Sequence, residues 1–364
     1  MGSIGLRDVG VFTPTALFRN LTMVVGETDR VGLIAGNGGG KSTLLRCLAG
    51  HAEPGAGEIV RSRGLAIGIV EQDVPPQLLD LTMAELVRRS LPAADRDGEA
   101  WRVGLALDEF DAPEAMRDQT LRTLSGGWQR LALIARAWVS SPDALLLDEP
   151  FNHLDLEKLA LLEAWIVDPA RRIPMVIASH DRRFLDACTT RTLFLRPDVS
   201  RYYAHPYSKS RRLLTDDDAA LAARNARDLH EADRLRRSAG ALRNIGINSG
   251  SDASQKKSAQ IFKRADALER TVRATHVERS GDIRLANRGT HARVMIALDD
   301  VTISTPDGRA LFRTGKINVL QRDRIVVLGR NGVGKSMLVA LLRRAMTEPG
   351  GVAGVRVTPS VAMG

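Results

Sequence analysis

Cysteine is nearly absent: Cys47 and Cys188 are the only two in 364 residues. Neither belongs to a Cys-x-x-Cys pair or has histidine companions, which argues against a disulfide framework or a metal site and predicts two buried thiols in a reducing cytosol. No apolar run approaches about eighteen residues, so no segment is predicted to cross a membrane. The first residues, Met1 to Asp8, lack the charged-then-apolar layout of a signal peptide, and a cytoplasmic location is expected. Aromatic residues make up only 4% of the chain. The length suits two or three domains with sizeable cores.

The net charge of +9 is unevenly placed. Residues 201–293 hold 20 Lys/Arg against 11 Asp/Glu, which leaves the rest of the chain neutral. A surplus confined to one middle segment points to a polyanionic partner there. A basic helix surface that is merely solvated is the plain alternative.

Val31 to Ala35 is a short apolar run that leads into Gly36-Asn37-Gly38-Gly39-Gly40-Lys41-Ser42-Thr43, after which Leu44, Leu45 and Leu48 begin a helical stripe. Strand, glycine loop and helix in that order form a phosphate-binding loop. Its backbone N–H groups close around phosphate oxygens, Lys41 reaches the β and γ groups of a nucleoside triphosphate, and Ser42 ligates Mg2+. Ala35 stands where the usual pattern has its first glycine, a change expected to tighten the turn and keep the cradle. A second loop, Gly329-Arg330-Asn331-Gly332-Val333-Gly334-Lys335-Ser336, follows the apolar run Ile325 to Leu328. Lys41 and Lys335 are 294 residues apart, and so are Phe18 and Phe312. Asp8-Val9 and Asp300-Val301 also correspond, so a whole domain is duplicated.

The first copy continues through a fixed order of groups. Gln72 follows the apolar strand Leu65 to Val70. Leu124-Ser125-Gly126-Gly127-Trp128-Gln129-Arg130 opens a helix, and a simple serine cap is the bland reading of Ser125 alone. Ala144-Leu145-Leu146-Leu147 is a buried parallel strand that ends in Asp148 and Glu149. Val176-Ile177-Ala178-Ser179 is another, ending in His180. This order resembles an ATP-binding cassette. The fold expected is therefore α/β, a P-loop NTPase cassette with a helical signature subdomain, followed by an α-helical hairpin linker and an incomplete second cassette. The resemblance implies that Asp148 joins the Mg2+ shell, that Glu149 orients or deprotonates the attacking water, and that His180 touches the γ-phosphate. It further implies that Gln72 senses Mg2+ and the γ-phosphate, and that Ser125, Gly126 and Gly127 bind the γ-phosphate of ATP held by another cassette. Phe12 lies where cassettes place an aromatic against adenine; a core phenylalanine is the alternative.

Asp148-Glu149-Pro150-Phe151-Asn152-His153-Leu154-Asp155 resembles the Asp-Glu-Pro-Thr-Asn-His-Leu-Asp hallmark of the ABC-F subfamily, with Phe151 replacing Thr. Ser179-His180-Asp181-Arg182-Arg183-Phe184-Leu185 resembles that subfamily's second hallmark. Such proteins are soluble twin-cassette ATPases that bind ribosomes near the tRNA exit site and act on translation or on antibiotic occupancy. Their cassettes are joined by a helical hairpin that reaches toward the peptidyl-tRNA. The resemblance implies ATP and Mg2+ as ligands and the ribosome, through its RNA and tRNA, as partner.

The expected divisions are a first cassette at 1–205, a basic hairpin at 206–292 and the start of a second cassette at 293–364. Leu213 to Leu242 lacks proline and carries leucine at mostly helical spacing, 244–252 reads as a turn, and 254–277 resumes a helix with Ile261, Ala265, Leu268 and Val272 on its inner stripe. Two helices of about thirty and twenty-five residues would reach roughly 35–45 Å. Arg243, Lys256, Lys257, Lys263 and Arg264 would meet RNA backbone near the tip, since the segment has almost no aromatics for base stacking. A plain coiled-coil spacer is the alternative. Only about fifty residues separate Gln72 from Ser125, room for an ordinary helical subdomain and no extra arm.

Counting from Lys335, the second copy's glutamine would fall beyond Gly364, so within these residues this copy is expected to be without its signature, acidic strand and histidine. Val326 and Leu328 are expected to be left exposed in a marginal half-domain. ATP binding is expected, and hydrolysis only if two first cassettes pair as a homodimer. Two other functions compete: the ATPase subunit of a membrane transporter, and a non-enzymatic RNA-binding module using the hairpin alone.

Overall fold

The computed structural model describes residues 2–92, 98–168, 172–249, 252–272, 294–305, 308–329, 332–348 and 350–358. In chain order its elements begin with β1 (Ile4–Thr13), β2 (Thr15–Val25), β3 (Arg30–Ile34), α1 (Lys41–Ala49), β4 (Ala56–Arg61) and β5 (Ile67–Val70). Then follow α2 (Met83–Arg89), α3 (Trp101–Asp108), α4 (Glu114–Arg117), α5 (Gly126–Trp138), β6 (Ala144–Asp148) and α6 (Leu156–Val167). Next come β7 (Met175–Ala178), α7 (Arg182–Cys188), β8 (Arg191–Phe194), β9 (Arg201–Tyr203), α8 (Tyr207–Ser249) and α9 (Asp252–Thr271). The last are β10 (Val294–Asp299), β11 (Thr302–Ser304), β12 (Ala310–Arg313), β13 (Lys316–Leu320), α10 (Lys335–Thr347) and β14 (Val355–Val357).

By contact the chain divides into two compact units: Met1–Ile69 with Asp143–Asp148 and Arg172–Ser280, and Val70–Pro142 with Glu149–Arg171 and Gly281–Gly364. The first unit holds a sheet of order β5-β6-β7-β3-β8-β9 and an antiparallel sheet of order β2-β1-β4. Strands β6, β7, β3 and β8 run parallel, with Leu147 opposite Ile177 and Val31 opposite Val176. Every residue of β6 and β7 is buried, as expected for parallel strands covered on both faces. Phe18, Leu33, Leu44, Leu48, Leu146 and Val176 belong to the core that joins the sheets to α1. The carboxyl ends of β3, β6 and β7 thereby bring residues 35–40, Asp148 and Ser179-His180 to one edge of the sheet, the usual ligand side of such folds.

The two cysteines are buried, and neither forms a disulfide. Burial, with Glu53 next, pushes the Cys47 thiol up from its ordinary range. Both thiols are therefore expected to resist a chromogenic disulfide reagent in the folded chain and to react fully once the chain is denatured. Rapid reaction of either thiol before unfolding would contradict this burial.

The hairpin differs from its sequence-based outline. Helix α8 is 43 residues long and runs through 244–249, where a turn was expected, and α9 starts at Asp252 and stops at Thr271. Residues 244–249 contain no proline, and one glycine costs a helix only about 1 kcal/mol, which pairing with α9 offsets. Of the expected turn, 250 and 251 lie outside the described residues, as do 273–277 of the expected second helix. The helices meet through Ala232, Ala239, Ser258 and Ala265, all buried, and the Ser258 hydroxyl donates to the Ala239 carbonyl at 2.8 Å. Ile261, Leu268 and Val272 are partly buried on the same side, as their spacing implied. Arg236 adds ion pairs to Asp266 and Glu269.

In the second unit, α2 is capped by Thr82, whose hydroxyl accepts from the Glu85 N–H at 3.1 Å. Glu109 accepts from the indole N–H of Trp138 at 3.2 Å and of Trp165 at 2.6 Å, tying α3, α5 and α6 together. The second copy repeats the first locally: its sheet has the order β13-β10-β14, matching β2-β1-β4. A Cβ on Gly334 would lie against Leu311 and Phe312, just as one on Gly40 would lie against Leu17 and Phe18. These pairs keep the 294-residue spacing. Val326 and Leu328 are 76% and 72% exposed, as the sequence implied, and 323–329 join no strand among the described residues.

Candidate functional site

In the first unit, Gly38 and Gly40 adopt positive φ of 70° and 89°, and the Gly39 N–H donates to the Gly36 carbonyl at 2.9 Å. A Cβ on Gly39 would lie 2.8 Å from the Ala35 Cβ and 2.9 Å from the Gly36 oxygen. At Gly36 and Gly38 a Cβ would meet nothing within 4 Å, so this side of the loop is open. The Ala35 methyl lies beside Gly39. Gly40 starts α1, and the N–H groups of its first turn, at Lys41, Ser42 and Thr43, have no intrahelical acceptors. The Lys41 Nζ lies 2.7 Å from the His180 Nε2 and 3.5 Å from the Ala35 carbonyl. Two groups 139 residues apart thus converge beside the loop.

Asp148 ends β6, is 5% exposed, and its Oδ1 has no hydrogen-bond partner among the described residues. A buried carboxylate oxygen left unpaired is costly unless it meets a cation. No cluster of three or more His, Cys, Asp or Glu side chains gathers among the described residues. A hard cation held by this carboxylate, the Ser42 hydroxyl and phosphate oxygens, as Mg2+ is bound beside nucleotides, would satisfy that oxygen. Phe12 is 45% exposed and its ring lies against Gly10 and Gly55, which removes the core alternative for this residue.

The second unit carries the other predicted groups. Glu149 is buried with a φ of 46°, at the start of the turn that ends in Asp155. Asp155 caps α6, accepting from the Lys158 N–H at 3.0 Å. Gln72 is exposed. Ser125 occupies the N-cap position of α5, yet its hydroxyl makes no capping bond, so the plain cap reading fails. Buried Gly127 is in the first turn of α5. Ser125 and Gly126 line a cavity of about 370 Å3 with Gly332, Gly334, Lys335 and Ser336. This unit therefore brings the signature turn face to face with the second glycine loop. Lys335 donates to the Gly329 carbonyl at 2.6 Å. Asn331 lies outside the described residues.

Two residues escaped the sequence reading. His153, at a φ of 69°, also lines that cavity, and a Cβ on Gly126 would come within 2.9 Å of its Cβ. Arg130 is buried and donates to the backbone carbonyls of Glu71 and Gln72, fastening the glutamine segment to the signature helix. His153 sits inside a quoted motif and could have been found there; Arg130 offered no signal beyond its place in the helix.

The family model described as ABC transporter matches residues 18–152. The chain is 26% identical over 376 residues to ABC transporter F family member 5 of Arabidopsis thaliana, covering 90% of this chain and 52% of that one. It is 28% identical over 346 residues to the energy-dependent translational throttle protein EttA of Mycobacterium tuberculosis, covering 85% and 59%. These matches support the ABC-F subfamily for this chain. A solved nucleotide-free cassette from an ABC transporter, 16% identical, superimposes with a TM-score of 0.50 over 59% of this chain and 96% of that one, which shows the cassette fold. The chain spans about half the length of the first curated ABC-F relatives it matches. No described helix of it is long and apolar enough to cross a membrane.

Proposed function

We propose that this ABC-F chain is a nucleotide-operated clamp that acts on the ribosome. The observation that carries the reading is the cavity shared by Ser125, Gly126, Lys335 and Ser336. It offers a helix N-terminus on one side and a lysine-bearing phosphate loop on the other, the two halves an ATP γ-phosphate can bridge. The same roles extend to the first loop. The Gly36–Gly40 backbone cradles phosphate, Lys41 and His180 hold the γ-phosphate, and Phe12 supplies a face for adenine. Ser42 and Asp148 would hold Mg2+, which when bound neutralises phosphate charge. Glu149 takes a proton from the water that attacks the γ-phosphorus as ADP departs, and Gln72 reports the nucleotide state. Turnover at the first loop calls for the signature of a partner first cassette, in a symmetric pair of chains.

In this reading the chain divides into a cassette at 1–205, a hairpin at 206–292 and a second copy at 293–364. The ribosome enters through the hairpin, where Arg243, Lys256, Lys257, Lys263 and Arg264 are all exposed. Phosphate backbone is the natural partner for such a cationic surface. The name of the EttA relative ties that protein to translation, which supports the same direction. Cosedimentation with ribosomes in MgATP tests it. Glu149→Gln is expected to pellet more strongly than the unaltered chain. Changing Lys256, Lys257, Lys263 and Arg264 to Glu is expected to weaken pelleting at least about tenfold at moderate salt. Absence of pelleting by Glu149→Gln with ATP would remove the ribosome from the account.

A further inference from the structure

The base of the hairpin is fastened to the cassette at two separate places, both within the first unit. The first is α7. Asp186 accepts the Ser208 N–H at 2.6 Å and the Ser208 hydroxyl, so its carboxylate sits at the first turn of α8. The second lies farther along α8. Arg196, buried just beyond β8, makes a two-pronged ion pair with Asp218 at 2.9 Å for each arm. Tyr203 of β9 donates its hydroxyl to Asp217 at 2.7 Å. Burial and then the Asp217 carboxylate push the Tyr203 phenol above its usual range, so it stays a donor.

The two attachments are made by different elements of that unit. Arg196 and Tyr203 are on the sheet side, whereas Asp186 rides on α7. That helix starts where the γ-phosphate group ends: Asp181, next after His180, caps it by accepting the Phe184 N–H at 3.1 Å. Helix α7 packs closely on β3, where a Cβ on Gly32 would lie 3.0 Å from a methyl of Leu185. A helix of seven residues therefore joins His180 to the foot of α8.

We infer that α8 is a lever, driven at Ser208 by Asp186 and pivoting on the Arg196–Asp218 and Tyr203–Asp217 joints. The inference rests on the reading of Lys41 and His180 as the γ-phosphate contact. From Ser208 to Asp218 the helix rises roughly 15 Å, and from Asp218 to Ser249 roughly 46 Å, at about 1.5 Å per residue. A shift of about 1 Å in α7 then swings the far end by about 3 Å in the opposite sense. Asp186 is a positioning residue in this scheme: it transmits the arrangement of His180 and touches no nucleotide. Small movements of packed helices are the usual source of such amplified displacements, and a two-state element both sites can bias is what coupling requires.

Spin labels at Ala241→Cys in α8 and Val60→Cys in β4 test the lever, since both native cysteines are buried. Their separation is measured with and without MgATP in a Glu149→Gln background, with nucleotide occupancy read in the same samples by a fluorescent ATP analogue. The expected result is a shift of about 2 Å or more that falls below a third of that value in Asp186→Ala, at unchanged nucleotide affinity and melting temperature. Asp186→Asn keeps an acceptor for the Ser208 N–H and is expected to retain part of the shift, which separates lost transmission from lost folding. An equal shift in Asp186→Ala, or none in the parent despite bound nucleotide, overturns the lever. Absent nucleotide binding removes the γ-phosphate reading itself, and the lever with it.

Discussion

Gly39→Val is expected to weaken ATP binding at the first loop at least about thirtyfold, and Ala35→Gly in the same chain to recover most of the loss. The added Cβ would lie 2.8 Å from the Ala35 methyl and 2.9 Å from the Gly36 carbonyl. Overpacking of this kind costs about 1–3 kcal/mol, and thirtyfold corresponds to about 2 kcal/mol. The second loop motivates the rescue. There the position equivalent to Gly39 is Val333, and the position equivalent to Ala35 is Gly329, at a φ of 155°. A Cβ on Gly329 would in turn meet the Val333 side chain at 3.1 Å. Each loop thus has one small and one larger partner, with the sizes exchanged. Binding of a fluorescent ATP analogue, measured in a Lys335→Ala background to silence the second loop, decides the matter. Equal affinities for Gly39→Val with and without Ala35→Gly would sink the exchange, because the Gly36 carbonyl alone would then set the clash.

Glu109→Leu is expected to destabilise the second unit by about 3 kcal/mol, with Glu109→Gln near about 1 kcal/mol. Leucine leaves the indole N–H groups of Trp138 and Trp165 without their carboxylate, and each buried donor left unpaired costs about 1–3 kcal/mol. Trp165 is buried, whereas Trp138 is partly exposed and can turn to water, so the sum falls short of two full penalties. The rings themselves stay packed, with Trp165 centred 5.1 Å from Phe110 and 5.3 Å from Trp138. All four tryptophans fall within Val70–Pro142 and Glu149–Arg171, so their fluorescence reports on this unit. Urea unfolding followed by that signal should show the midpoint falling in the order parent, Gln, Leu. An unmoved midpoint in Glu109→Leu would mean that water already serves both indoles.

What could be read from the sequence was whatever is written in consecutive residues. Gly36 to Thr43 and Ala144 to Asp148 carry their structure locally: a glycine loop needs its positive φ values in order, and a strand buried on both faces is apolar throughout. The duplication was legible because it repeats at a constant interval, and Leu17-Phe18 and Leu311-Phe312 play the same part at Gly40 and Gly334. The extent of α8 was not legible, because Asn244 to Ser249 favour a turn only until a second helix supports them. Asp217 and Asp218 gave no signal either; inside a basic stretch they looked like solvated charge. Their meaning lies in Tyr203 and Arg196, which the fold alone brings to them. Arg130 belongs to the same class, defined by neighbours distant in sequence.

Residues Ile325 to Leu328, four aliphatic side chains in a row outside any described strand, also govern how the protein can be handled. Their amides and carbonyls make an open template for any extended peptide, and a second molecule offers the same one. Solutions of this chain should therefore tolerate dilution and cold better than concentration and warmth, and a chaperone that captures extended apolar segments would take hold of it here.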